Sequence, residues 1–150
     1  MLSSSLEDCL VSIYEMALQE HELKSSEIAK RLNVPLSRAI QGIQRLHYQK
    51  YLTYSPYRPL ELTEKGKMMG EYLVARKAII REFLDILQIE ENVESEVKAM
   101  EQYLSISSIR TIEKFVLFIR QYPEVTQRYK LFSRKKGKEI LLPPLPEEKS

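Results

Sequence analysis

The side chains with the most evident binding chemistry lie between residues 36 and 49, on one side of a predicted helix. Apolar residues recur there at helical spacing and predict an inward face formed by Leu36, Ala39, Ile40, Ile43 and Leu46. The opposite face carries Ser37, Arg38, Gln41, Gly42 and Arg45. The major groove of B-DNA admits one helix, where amide and guanidinium groups pair with base edges, and a hydroxyl near the helix start can bind phosphate. This segment therefore predicts a helix that contacts DNA.

Gly42, on the polar face, admits two interpretations. A residue without a side chain permits close approach of the helix to DNA, or close packing against another helix. Glycine costs a helix about 1 kcal/mol relative to alanine, so a contact of one kind or the other is expected to compensate. The sequence alone leaves both interpretations open.

A short aromatic and basic stretch, YLTYSPYRPLEL, follows at residues 51–62 and predicts a β-hairpin. Its strands are expected at residues 51–54 and 60–62, where leucines alternate with a glutamate. Tyr57 and Arg58 stand at the turn, and we expect them to contact a phosphate backbone or the minor groove. The strand tyrosines Tyr51 and Tyr54 are instead predicted to pack across the hairpin.

Two earlier helices are predicted to position this surface. The first runs from Ser4 to Glu20, and Ser4 with Glu7 has the spacing of a capping box. The second is a short helix capped by Ser25, and the sequence Asn-Val-Pro at residues 33–35 ends it, because proline cannot continue a helix behind it. Two helices joined by a tight turn, then a hairpin, indicate a winged helix-turn-helix.

In the second half of the chain, the sequence pattern predicts only helices. Thr63 can cap a long fourth helix that reaches Leu87, and from Ala78 to Ile89 apolar residues surround it, so a second subunit is expected to cover it. Two further helices are expected near 93–104 and 105–123. The predicted fold is mainly α, with a winged helix-turn-helix DNA-binding domain over residues 1–71, an all-helical dimerisation domain over 72–140, and a mobile tail over 141–150.

Composition and charge favour some classes of function over others. Residues 24–67 hold nine Lys or Arg against three Glu, a net charge of +6, which suggests a polyanionic partner. The absence of a long apolar run or a secretory signal predicts a cytoplasmic protein without membrane association. The single cysteine, Cys9, is expected to be a small core or interface residue and not a nucleophile. The sequence contains neither a phosphate-binding glycine loop nor a nucleophile–histidine arrangement, the motifs that would indicate an enzyme.

Three motifs carry a resemblance to a known family. These are SSSLEDCLVSIYEM near the N-terminus, SSEIAKRLNVPLSRAIQGIQRL in the middle, and YLTYSPYRPLELTEKGKMMGEYL after it. Together they resemble the metal-dependent repressors of the diphtheria toxin repressor and manganese transport regulator family, in its short two-domain branch. One departure is Pro59, where the family usually has glycine. The resemblance implies a homodimer that binds a palindromic operator when Mn(II) or Fe(II) occupies a site between the domains.

The metal ligands that the resemblance implies are mostly replaced in this sequence. Of the six positions, Asp8 and Glu101 keep carboxylates, whereas the remaining four are Val11, Lys77, Lys98 and Gln102. A protonated lysine has no lone pair, and Mn(II) and Fe(II) prefer carboxylates and imidazole. We therefore expect no metal cofactor. We predict instead that Asp8, Lys77, Lys98 and Glu101 form an ion-pair cluster that holds the domains together; the alternative is that they extend into solvent.

The leading hypothesis is accordingly a homodimeric transcription regulator, a repressor by resemblance, that binds double-stranded DNA without depending on Mn(II) or Fe(II). The alternative is a winged-helix module that binds another protein. The basic face of the third helix favours DNA, since an acidic or apolar face would favour protein.

Overall fold

The computed structural model describes residues 2–132 and 141–148 of the 150-residue chain. Helices dominate, and one two-stranded hairpin separates the third helix from the fourth. The elements are α1 (Ser4–Leu18), α2 (Ser25–Leu32), α3 (Leu36–Tyr48), β1 (Leu52–Thr53), β2 (Glu61–Leu62), α4 (Glu64–Ile86), α5 (Val93–Tyr103), α6 (Ile106–Gln121), α7 (Pro123–Leu131) and a 3-10 turn at Pro146–Glu148. The strands pair antiparallel, with Leu52 opposite Leu62. The predicted mainly α fold with a small hairpin is confirmed.

Two of the predicted helix starts need correction. Ser3, not Ser4, caps α1, and its side chain accepts a hydrogen bond of 3.3 Å from the backbone N–H of Leu6. The predicted capping box does not form, because with Ser3 as the cap the third helical residue is Leu6 and not Glu7. Ser25 is the first helical residue of α2 and not its cap.

Other helix starts agree with the sequence. Thr63 accepts from the N–H of Gly66 at 3.1 Å, and Ser105 accepts from the N–H of Ser108 at 3.1 Å. Each hydroxyl satisfies a backbone donor that the first turn of a helix leaves without a partner. The starts of α4 and α6 are therefore fixed by local chemistry that the sequence displays.

A large apolar cluster joins α1, α2, α3 and the hairpin to the first half of α4. Its most buried members are Leu10, Ile13, Met16, Ile28, Ile43, Leu46, Leu52 and Leu73. Leu36 was predicted to face this core but is 48% exposed. It is the first residue of α3 and precedes the turns that pack inward, which begin with the buried Ala39.

A second, smaller cluster joins the last half of α4 to α5 and α6. It consists of Ile80, Leu84, Val97 and Ile109, with Phe83 packed against it. Phe83 also meets Phe115 of α6 edge-on, with ring centroids 5.7 Å apart. Because α4 contributes to both clusters, it is the element that connects the two halves of the molecule. The predicted partition at residues 71/72 falls inside this helix and stays a prediction.

The C-terminal predictions are covered only in part. The basic sequence VTQRYKLFSRKKGK at residues 125–138 predicts a partly helical segment, and α7 is helical as far as Leu131, while residues 133–140 lie outside the described residues. Tyr129 on α7 donates a hydrogen bond of 3.3 Å to the carbonyl of Leu87, which attaches this helix to the end of α4. In the part of the chain that the structure describes, no helix has the length and apolar character needed to cross a membrane.

Candidate nucleic-acid interface and neighbouring ion-pair cluster

The polar face of α3 is exposed. Ser37, Arg38, Gln41 and Arg45 all reach solvent, while Ala39, Ile43 and Leu46 on the other side are buried. Arg38, Gln41 and Arg45 line one groove of about 330 Å³ between α3 and α1. This separation follows from the helical spacing of polar and apolar residues, so α3 presents donors, acceptors and two positive charges on a single surface.

Gly42 lies on the floor of the same groove. A methyl group at this position would stand 3.4 Å from the Sγ of Cys9 and 3.9 Å from the Cδ2 of Leu6, both on α1. Those distances are ordinary van der Waals contacts. Gly42 therefore marks the packing of α3 against α1.

Cys9 is a core residue, as the sequence indicates. It is 3% exposed and packs within the N-terminal apolar cluster. Burial, together with the nearby negative charge of Asp8, raises the pKa of its thiol to about 11. A thiol with so high a pKa is a poor nucleophile at neutral pH, because the thiolate is the reactive form.

The tip of the hairpin projects into solvent. Tyr57 is fully exposed with a backbone φ of +64°, and Arg58 beside it is exposed as well. The positive φ that a tight turn needs thus falls on Tyr57 and not on Pro59, so proline is compatible with the turn. Tyr51 is buried and Tyr54 packs against the same core, while their packing across the hairpin stays a prediction.

His47 ties α3 to the hairpin, a contact that the sequence did not suggest. Its Nδ1 lies 3.2 Å from the backbone nitrogen of Tyr54 and 3.2 Å from the carbonyl of Leu52. A backbone N–H can only donate, so Nδ1 accepts from Tyr54 when the ring proton is on Nε2. The bond fixes where the hairpin leaves α3.

Next to this surface, charged residues of α1, α4 and α5 form an ion-pair cluster: Glu7, Asp8, Arg76, Lys77, Lys98 and Glu101. At its centre Arg76, on α4, is only 8% exposed. Its Nη2 donates to the Oε1 of Glu7 and to the Oε2 of Glu101, both at 3.1 Å. Burial lowers the pKa of the guanidinium and the bonds to Glu7 and Glu101 raise it, with a net increase. One arginine thereby links α1 to α5 through α4.

The peripheral members of the cluster are residues at the positions where the resemblance implies metal ligands. Lys98 Nζ lies 3.4 Å from the Oδ2 of Asp8, and Lys77 Nζ lies 3.4 Å from the Oε1 of Glu101. Gln102 donates a bond of 2.7 Å to the hydroxyl of Ser4. The half-buried Val11 lines the adjoining cavity and forms no polar contact of this kind.

Arg76 and Glu7 were not predicted from the sequence as members of this cluster, although the pattern of buried positions in α4 indicates that Arg76 faces inward. The buried residues of this helix fall at positions 66, 70, 73, 76, 80 and 84, and five of the six are glycine or apolar. An arginine within such an inward stripe requires carboxylate partners, because a buried charge must be paired. The identity of those partners depends on contacts distant in sequence.

The cluster borders an open cavity of about 290 Å³ lined by residues of α1, α2, α4 and α5. Arg31 of α2 completes its charged lining. Across residues 2–132 and 141–148, no three or more His, Cys, Asp and Glu side chains come together in an arrangement suited to a metal ion.

Comparisons with known proteins agree with this architecture. Residues 1–60 match the family described as iron dependent repressor, N-terminal DNA binding domain, and residues 63–130 match iron dependent repressor, metal binding and dimerisation domain. The solved "Structure of the manganese regulator SloR" superposes with a TM-score of 0.67 at 20% identity, over 78% of this chain and 55% of that one. This likeness supports the fold.

Curated relatives are more similar in sequence. The HTH-type transcriptional regulator MntR of Bacillus pumilus is 34% identical over 136 residues, which cover 90% of this chain and 94% of the relative. The protein of the same name from Oceanobacillus iheyensis is 36% identical over 121 residues, or 80% and 82% of the two chains. That from Bacillus subtilis is 34% identical over 81% and 86%. The chain therefore belongs to the diphtheria toxin repressor and manganese transport regulator family of metal-dependent transcriptional regulators, with a DNA-binding domain followed by a helical dimerisation domain.

Proposed function

We propose that this protein is a cytoplasmic, homodimeric transcriptional repressor that binds a palindromic operator without requiring Mn(II) or Fe(II). One observation supports the loss of metal dependence: the protein's own cationic side chains already pair with the carboxylates of the ion-pair cluster. Arg76, Lys77 and Lys98 are all bonded to the carboxylates of that region. Membership of the family supports DNA binding and dimerisation. The ion-pair cluster supports independence from metal, which departs from the family.

The donor set of this region does not fit a dication. Glu7 and Glu101 are both engaged by Arg76, and Asp8 is engaged by Lys98. The three carboxylates balance three cations, so a divalent ion would add two uncompensated charges. It would also have to displace Lys77 from Glu101 and Lys98 from Asp8, the two ligand positions that keep a carboxylate. We therefore assign the cluster the role of a fixed connection between the domains.

The proposed DNA contacts lie on two exposed elements. Ser37 and Arg45 are assigned to phosphate or base contacts from α3, while Arg38 and Gln41 are assigned to base edges. Tyr57 and Arg58 at the hairpin tip are assigned to the backbone or minor groove beside it. Exposure of all six side chains supports this assignment, as does the bond from His47 that fixes the hairpin relative to α3.

The first test measures operator binding with and without metal. Fluorescence anisotropy with DNA from upstream of the protein's own gene should give the same dissociation constant in excess EDTA and in excess Mn(II). A variant that restores the ligand types, with Val11→Glu, Lys77→His, Lys98→Glu and Gln102→His together, is the matched comparison. It should bind Mn(II) measurably more tightly than the parent. Operator binding by the parent that disappears in EDTA and returns with Mn(II) would refute metal independence.

A second experiment tests the DNA surface. Arg38→Ala and Gln41→Ala should each reduce discrimination between operator and altered operator by about 1–3 kcal/mol if the side chain contacts a base. Arg58→Ala should weaken binding to all sequences and reduce its salt dependence. Lys114→Ala, on α6, is the control. If Arg38→Ala, Gln41→Ala and Arg58→Ala all bind like the parent, the assignment of these residues to the DNA surface is wrong. Salt-insensitive indifference of the parent to DNA would instead favour a protein-binding module.

A further inference from the structure

The cavity beside the ion-pair cluster is lined by more positive than negative side chains. Four cations face it, namely Arg31, Arg76, Lys77 and Lys98, against three carboxylates, Glu7, Asp8 and Glu101. The uncharged donors around it are Ser4, Ser12 and Gln102. A cavity of about 290 Å³ accommodates only a small ligand. The lining as a whole therefore favours a small anion over a cation.

The ion pairs of this lining differ in how readily they can exchange partners. Arg76 has little exposure and binds two carboxylates at once, so its bonds are expected to persist. Lys98 and Asp8 are 57% and 51% exposed and are joined by one contact of 3.4 Å. Exposed single contacts of this kind contribute little stability, because water competes for both charges. Lys98 is therefore available to a competing anion.

Arg31 is also available as a second cation for the same ligand. Its Nη2 donates to the amide oxygen of Gln19 at 2.7 Å, and this interaction is exposed and involves a neutral acceptor. Replacing a neutral acceptor by a charged one strengthens a guanidinium hydrogen bond. Arg31 and Lys98 lie on different elements, α2 and α5, that line the same cavity.

We propose that this cavity binds a small anion carrying a phosphate or carboxylate group, with Arg31 and Lys98 as its principal charged contacts and Lys77 and Gln102 as further donors. The inference rests on the proposed function, in that an anion can occupy the site only if a metal does not. The ligand contacts α2 of the helix-turn-helix and α5 of the dimerisation domain together. Its binding thus joins an element of the DNA-binding domain to an element of the dimerisation domain.

The test is a thermal-unfolding measurement in EDTA, without DNA. Sodium phosphate, sodium pyrophosphate and sodium citrate are each titrated against sodium chloride at matched ionic strength. At least one should raise Tm in a saturable manner, by about 3–5 °C at ten times its dissociation constant. The double variant Arg31→Gln/Lys98→Gln should lose the response, and Lys114→Gln should keep it.

Two results would overturn the proposal. One is the absence of any saturable rise in Tm beyond the chloride control with all three anions. The other is an undiminished response in the double variant, which would place the anion elsewhere. Because neither DNA nor Mn(II) enters this measurement, its outcome is separate from metal independence. A parent that needs Mn(II) for operator binding yet shows the full anion response in EDTA would refute the proposed function and leave the anion site standing.

Discussion

Arg76 on α4 and Glu101 on α5 are joined by a bond of 3.1 Å between Nη2 and Oε2, and only about a tenth of either side chain is exposed. The same Nη2 binds Glu7 on α1. Arg76 is therefore the buried charged residue that connects the helix preceding the helix-turn-helix to a helix of the dimerisation domain, beside the exposed pair of Lys98 with Asp8. The Nε of this guanidinium is buried and has no hydrogen-bond partner among the described residues, so the pairing relies on the terminal nitrogens.

Replacement of Arg76 by methionine should destabilise the protein strongly. The change keeps an unbranched side chain but removes the guanidinium, which leaves the carboxylates of Glu7 and Glu101 without their shared partner in a buried site. Removing one member of a buried ion pair costs about 3–5 kcal/mol. Urea unfolding monitored by circular dichroism measures this loss. Arg81→Met, which removes an exposed pair with Glu94, is the control and should leave the free energy of unfolding nearly unchanged.

Much of the fold was predictable because its signals are local. Helical spacing of apolar residues indicated every helix that positions the DNA-binding surface, and Thr63 and Ser105 marked two helix starts correctly. The exposure of Arg38 and Gln41 followed from the same spacing. Each of these features depends on residues within one or two helical turns, and short-range patterns carry that information.

The centre of the ion-pair cluster was not predictable in the same way. Arg76 lies 69 residues from Glu7 and 25 from Glu101 in the sequence, so their pairing depends on how three helices pack. The start of α1 was misplaced for a different reason. Ser3 and Ser4 are adjacent and either can cap a helix, and Ser3 does so by accepting from the N–H of Leu6.

Substitution of two helical glycines by alanine should have opposite effects. Gly42→Ala adds a methyl group at an ordinary contact distance from Cys9 and improves helix propensity, so it should stabilise the protein by up to about 1 kcal/mol. Gly70→Ala places its methyl group 2.5 Å from the Cγ of Tyr14, which forces α1 and α4 apart. Thermal unfolding should show a higher Tm for the first variant and a lower Tm for the second. Equal shifts would contradict the packing described for Gly42.

Removal of the His47 ring should loosen the hairpin without unfolding the protein. In His47→Ala the N–H of Tyr54 loses its acceptor, so its amide should exchange with deuterium faster than in the parent. The buried residues around it, such as Leu46 and Leu52, should retain their protection. His21→Ala is the control, since His21 is an exposed residue between α1 and α2. Unchanged exchange at Tyr54 would show that the bond does not restrain the hairpin.

The buried thiol of Cys9 should make stability fall at alkaline pH. Folding raises its pKa from about 9 to about 11, so the native state retains a proton that the unfolded chain releases. The contribution is complete below pH 9 and is lost as pH rises from 9 to 11, with a slope of about 1.4 kcal/mol per pH unit at most. Urea unfolding of the parent and of Cys9→Ala across this range isolates the effect, because the other titrating groups are common to both. Parallel pH profiles for the two proteins would mean that the thiol ionises as easily folded as unfolded.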